Sequence, residues 1–164
     1  MDNGNVLHAS NSGVHVLRFI GDIRYTLSPS IDRFLEGIFA GPKPVGFVID
    51  LTDTDSIDST NLGLLARLAT RMQRLDARRV TIVSSRDDIN AVLNSMALDE
   101  VFDIVGDAGL ETGTAQEVPQ ENADREVLAR TLIDAHRALM DLNEHNREMI
   151  RDVVTALEKN GARG

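Results

Sequence analysis

The chain has 164 residues, 42% of them hydrophobic, a formal net charge of −9 and no cysteine. That supplies the core of one ordinary domain, or of a small domain with an appendage. It excludes disulfides, zinc–thiolate sites and thiol catalysis, and the acidic balance argues against nucleic acid or an anionic membrane as the main partner.

The first residues, Met1 to Gly13, hold no basic stretch followed by an apolar run. No segment approaches the roughly eighteen apolar residues of a membrane span. The expectation is a soluble cytoplasmic protein.

Val6 to Ser10 and Val14 to Ile20 read as strands joined by the turn-forming Asn11-Ser12-Gly13, with Gly21-Asp22 ending the second. Ser28-Pro29 looks like a helix start, Ser28 as N-cap and Pro29 in the first helical position. Ile31, Phe34, Leu35, Ile38 and Phe39 follow at helical spacing, and Gly41-Pro42-Lys43-Pro44 stops that helix. Val45 to Leu51, VGFVIDL, is apolar on both faces, as a central covered strand should be. An acidic loop crowded with hydroxyls comes next, containing Asp53, Asp55, Ser56 and Asp58. The helix Ser59 to Leu75 then places Leu62, Leu65 and Leu68 on one face. No Lys or Arg occurs from Pro44 to Ala66.

The strand Val80 to Val83, a helix turning Ile89, Val92, Leu93 and Met96 inward, and the short strand Val101 to Val105 complete a domain ending near Leu110. The alternation of strands and helices in this half implies parallel pairing with right-handed crossovers. Glu111 to Asp124 is polar and aperiodic and reads as a linker. Arg125 to Lys159 has neither Pro nor Gly, and residues 125–164 form a C-terminal helical extension. Leu128, Leu132, Ala135, Leu139, Leu142, Asn146, Met149, Val153 and Ala156 make a heptad seam. Read as one helix it is about 50 Å long, which favours self-association or a target helix over packing on its own domain.

Most forms of chemistry find no footing. The acidic loop lacks the central Gly and the twelfth-position Glu of a calcium loop. Asp50 ends a strand, as the phosphorylated Asp of a receiver domain does, but the acid pair and the Lys such a site requires are missing. His136 reads as an ordinary surface histidine on a helix. His8, His15, His136 and His145 lie far in sequence from the hydroxyls, so no nucleophile–base pair is visible, and no Gly-rich phosphate loop is present. Catalytic residues, metal and cofactor are therefore all expected to be none. What remains is Asp58-Ser59-Thr60 at a helix start. Capping needs only one such residue, and a phosphoryl group placed there would meet the helix dipole and free amides.

Gly21-Asp22-Ile23, the strand VGFVIDL, and Asp58-Ser59-Thr60-Asn61-Leu62-Gly63 opening a helix together resemble the STAS family, and within it the anti-sigma-factor antagonists. The later VTIVSS strand and the helix through Met96 fit as well. The resemblance covers about residues 1–110. It implies an α/β fold: a small STAS-type domain with one mixed sheet and helices, followed here by a linker and a long C-terminal helix. It also implies a non-enzymatic partner switch, in which the antagonist binds an anti-sigma factor until a serine/threonine kinase phosphorylates it, and a phosphatase restores binding. The family's acceptor falls on Thr60, with Ser59 beside it. Thr60 replaces a Ser and Asn61 a Gly, and Ser56 lies in the more flexible part of the loop, so Ser56, Ser59 and Thr60 are all candidates. Asp22, Asp55, Asp58, Asn61 and Leu62 are the expected partner-binding residues. The alternative is a non-phosphorylated STAS scaffold assembling through its C-terminal helix.

Overall fold

The computed structural model describes residues 4–106 and 115–162. The expected domain end near Leu110 and the first residues of the linker lie outside them. Strands β1 (Asn5–Asn11) and β2 (Val14–Ile23) form an antiparallel hairpin. Helix α1 (Ser28–Ala40), strand β3 (Gly46–Asp50), strand β4 (Thr54–Ile57) and helix α2 (Ser59–Arg74) follow. Strand β5 (Thr81–Val83), helix α3 (Asp87–Ser95) and strand β6 (Asp103–Val105) complete the alternating part. The sheet is mixed, in the order β6-β5-β3-β2-β1, with β2–β3, β3–β5 and β5–β6 parallel. Leu17, Phe19, Phe47, Ile49 and Ile82 from the sheet meet Leu35, Leu65, Leu68 and Leu93 from the helices in the core.

Two features of the β2–β4 region depart from the sequence reading. Gly21-Asp22 does not end β2. The strand bulges there and continues to Ile23. Gly21 adopts φ +83°, a conformation that costs a side chain but not glycine. The bend carries Gly21–Ile23 away from β3 and into parallel pairing with β4. The segment read as a flexible loop is thus partly a strand. It buries Thr54 and Ile57 and exposes Asp55 and Ser56, and the Thr54 hydroxyl donates to the Phe19 carbonyl at 2.8 Å.

Ser28 is not the cap of α1. It is the first helical residue, Leu27 holds the cap position, and the Ser28 hydroxyl donates back to the Tyr25 carbonyl. The described part of the linker is also structured. Strand β7 (Gln116–Glu117) adds to the edge of β1, Val118 is buried, and the Glu121 amide donates to Ser30 Oγ at 2.9 Å.

The expected single long helix is two. Helix α4 (Arg125–Met140) stops, and α5 (Glu144–Ala162) begins after Asp141-Leu142-Asn143. Asn143 Oδ1 accepts from the Asn146 amide at 2.8 Å, so an Asx residue restarts the helix without Gly or Pro. The two helices fold back on each other, with Arg137 of α4 paired to Glu158 of α5. The hairpin packs on its own domain, contrary to the expectation drawn from its length. The seam holds through Ala135, Leu139 and Asn146, all buried. After Asn146 it shifts by one residue, so α5 buries Ile150 and Val154, while Met149 and Val153 are each 42% exposed. Asn146 Nδ2 donates to the Met96 carbonyl at 2.7 Å, setting register against the chain's own domain rather than against another helix.

Candidate functional site

The polar side chains of the sequence converge where β3 and β4 hand over to α2. Asp50, at the end of β3, is satisfied locally: its Oδ1 accepts from the Thr52 amide at 2.9 Å and from the Thr52 hydroxyl at 2.7 Å. Arg18, reaching across from β2, lies 3.9 Å from Asp50 and pairs with Asp53. Arg86, just before α3, donates to Asp55 at 3.1 Å and to the Thr54 carbonyl at 3.2 Å. A run that carries no positive charge in sequence is therefore partly neutralised in space. Arg86 also grips Asp88, and that hydrogen bond holds the Asp88 carboxyl below the usual carboxylate range and raises the guanidinium's own value.

On β4, the exposed Ser56 donates its hydroxyl to Asp22 Oδ1 at 2.8 Å. Asp58 caps α2. Its backbone is extended, and its Oδ1 accepts from the Asn61 amide at 3.1 Å and from Asn61 Nδ2 at 2.9 Å. The capping role, which needs one residue of Asp58-Ser59-Thr60, belongs to Asp58. Ser59 is the first helical residue and is half-buried, whereas Thr60 is only 4% exposed. Of the expected partner-binding residues, Asp55 is exposed and Asp22 and Asp58 are half-buried. Asn61 is buried and Leu62 belongs to the core, so neither is open to a partner in this conformation. Asp22, Ser56, Asp58 and Ser59 are brought together, but the position matching the family's acceptor is covered.

His136 is not a surface residue. It is 4% exposed, on the face of α4 that meets α2, and its Nε2 lies 2.9 Å from Ser59 Oγ. Its Nδ1 lies 2.7 Å from the Leu132 carbonyl, which can only accept. Nδ1 of the neutral ring therefore carries the proton, and Nε2 accepts from the Ser59 hydroxyl. One turn further along α2, Gly63 lies against the backbone of Ala135. A Cβ built on Gly63 would stand 2.1 Å from the Ala135 carbonyl oxygen, so only glycine permits this approach. The sequence reading missed the pairing because the partners lie on elements far apart in the chain. The small residues Gly63 and Ala135 at helix-facing positions were the available signal.

A hydroxyl hydrogen-bonded to an imidazole is the arrangement of a nucleophile–base pair, one that the separation of the residues in sequence had hidden. Here the imidazole is buried between two helices, and the bond closes a helix contact. Among the described residues, no group of three or more His, Cys, Asp or Glu side chains could hold a metal ion, and no helix is long and apolar enough to cross a membrane.

Residues 6–109 match the STAS domain family model. The crystal structure of an anti-sigma factor antagonist from Mycobacterium paratuberculosis matches with a TM-score of 0.55 at 19% identity, over 64% of this chain and 87% of that one. At that identity the likeness is one of fold. No curated protein matches the chain. The helices α4 and α5 lie beyond the residues that the family model covers.

Proposed function

The chain belongs to the STAS domain family, and we propose that it works as a cytoplasmic anti-sigma-factor antagonist switched by reversible phosphorylation at the β4–α2 junction. The observation that carries this reading is the arrangement of Ser56, Ser59 and Thr60 around the Asp58 cap, on a strand and a helix that fix their positions. The unmodified form binds an anti-sigma factor. A serine/threonine kinase places phosphate on one of the three hydroxyls, and a phosphatase removes it. The chain itself catalyses nothing in this scheme.

The electrostatics favour a switch of this kind. Ser56 now donates a hydrogen bond to Asp22 Oδ1. A phosphate there would set two anionic groups against each other, in a patch that already holds Asp55 and Asp58. At Ser59 it would meet the α2 amides favourably and displace the hydrogen bond to His136. Asp22, Asp55 and Asp58 present the charge a partner meets, while Asn61 and Leu62 set the shape of the helix start from below. The test is phosphopeptide mapping after exposure to the cognate kinase, with binding to the anti-sigma factor measured before and after. Phosphate found only outside residues 50–62 would refute the site.

A second reading rests on Met149 and Val153, exposed one turn apart on α5. They suit a non-phosphorylated scaffold that assembles through its C-terminal helices. Self-association unaffected by kinase treatment, with no phosphate acquired, would favour it.

A further inference from the structure

Helix α4 occupies the face of α2 on which the proposed switch depends. Ser59 bonds to His136, Gly63 abuts Ala135, and Thr60, between them in sequence, is buried. The family domain stops before this hairpin, so the cover is an addition to the fold rather than a part of it. We propose that the α4–α5 hairpin is a detachable lid, an intramolecular competitor that holds the start of α2 closed until an anti-sigma factor displaces it. The inference rests on the partner-switch reading and adds a gate to it.

The contact sets Gly63 against the backbone of Ala135, with Ala135 and Leu139 fully buried, and two features at its edges suit a lid. A cleft of about 990 Å³ lies beside α2 and α4, lined by Glu36, Arg67, Arg71, Arg74, Asp134 and Arg137 among others, so charged groups edge the contact. At the other end, Asn146 spends its Nδ2 on Met96, but its buried Oδ1 finds no partner among the described residues. The Ser59–His136 bond acts as the latch, and it joins the lid to a candidate phosphoacceptor.

The chain offers two ways to open the lid without disturbing the sheet. Gly63→Ala improves the intrinsic helix propensity of α2 while its Cβ drives α4 off. Ala135→Lys acts from the lid side and leaves the whole α2 surface native; Ala135 is fully buried. Both full-length variants are examined by hydrogen exchange and by binding to the anti-sigma factor. The expected result is lost amide protection across residues 125–159, with β3 and β5 still protected. Binding should tighten by about tenfold or more, as when a competent form holds a tenth of the population or less in the wild type. His136→Ala should give a smaller gain in the same direction. Unchanged protection of α4 in both variants would overturn the lid. An opened hairpin with unchanged affinity would overturn the gate and leave the antagonist reading standing. Failure of every form, opened or closed, to bind an anti-sigma factor would overturn that reading and the gate with it.

Discussion

Ser59 Oγ and His136 Nε2 stand 2.9 Å apart across 77 positions of sequence. This hydrogen bond ties the start of α2, inside the STAS domain, to a helix outside it. Replacing either partner leaves a polar atom without its mate in a half-buried site. Ser59→Ala and His136→Ala are each expected to cost about 1–3 kcal/mol, and the double variant less than the sum. Denaturant unfolding of the four proteins measures this coupling, and strict additivity would show that the two residues do not interact.

Asp58 caps α2 through the Asn61 amide. Asp58→Ala is expected to lower stability by about 0.5–2 kcal/mol, and Asp58→Asn by less, since asparagine is an equally good cap. Thermal unfolding distinguishes the two. Equal losses would place the role of Asp58 in its charge rather than in its capping oxygen.

His8 and His15 stack at 5.2 Å, with His8 Nε2 2.9 Å from His15 Nδ1, and they lie against Phe34 and Phe47. Burial lowers both imidazole pKa values from 6.5, and the neighbouring His15 adds to the effect on His8. Below pH 6.5 the unfolded chain takes up protons that the folded chain resists. This contribution to stability is therefore complete above 6.5 and lost as pH falls toward the lowered folded values. Stability measured from pH 7.5 to about pH 5 should fall more steeply for the wild type than for a variant carrying His8→Gln and His15→Gln. Parallel curves would remove the pair from the pH response.

Leu139 is fully buried at the hairpin's contact with the domain. Leu139→Ala should cost about 2–5 kcal/mol if the hairpin unfolds together with the domain. As a lid, the hairpin should instead lose protection at lower denaturant than the sheet. Hydrogen exchange followed along a denaturant series separates a single transition from two.

The parts legible in the sequence were those with a strong local pattern. VGFVIDL could only be a covered strand, and the leucines of α2 could only be one helix face. Parallel pairing in the second half followed from the order of such elements, while the family and its mixed sheet came from the resemblance of Gly21-Asp22-Ile23, VGFVIDL and the run Asp58 to Gly63. Strand β4 was not legible, because Thr54-Asp55-Ser56-Ile57 has no apolar alternation and owes its pairing to the bulge at Gly21. The break between α4 and α5 carried a readable signal, Asn143 followed by Glu144, but it was masked by the continuous heptad spacing and the lack of Gly or Pro. At the site, the hydroxyls and the acidic residues were legible as candidates. Their order of accessibility was not, because the burial of Thr60 and the approach of Arg18, Arg86 and His136 depend on elements remote in sequence.

The central claim is that phosphate at the β4–α2 junction controls binding. The most direct measurement is the affinity of the full-length protein for its anti-sigma factor, unmodified and stoichiometrically phosphorylated, with the modified residue mapped in the same sample. We predict phosphate on Ser56, Ser59 or Thr60 and binding weaker by about tenfold or more, since like charges and desolvation of the phosphate both oppose docking. Equal affinity of the two forms, with phosphate mapped to that segment, would contradict the account.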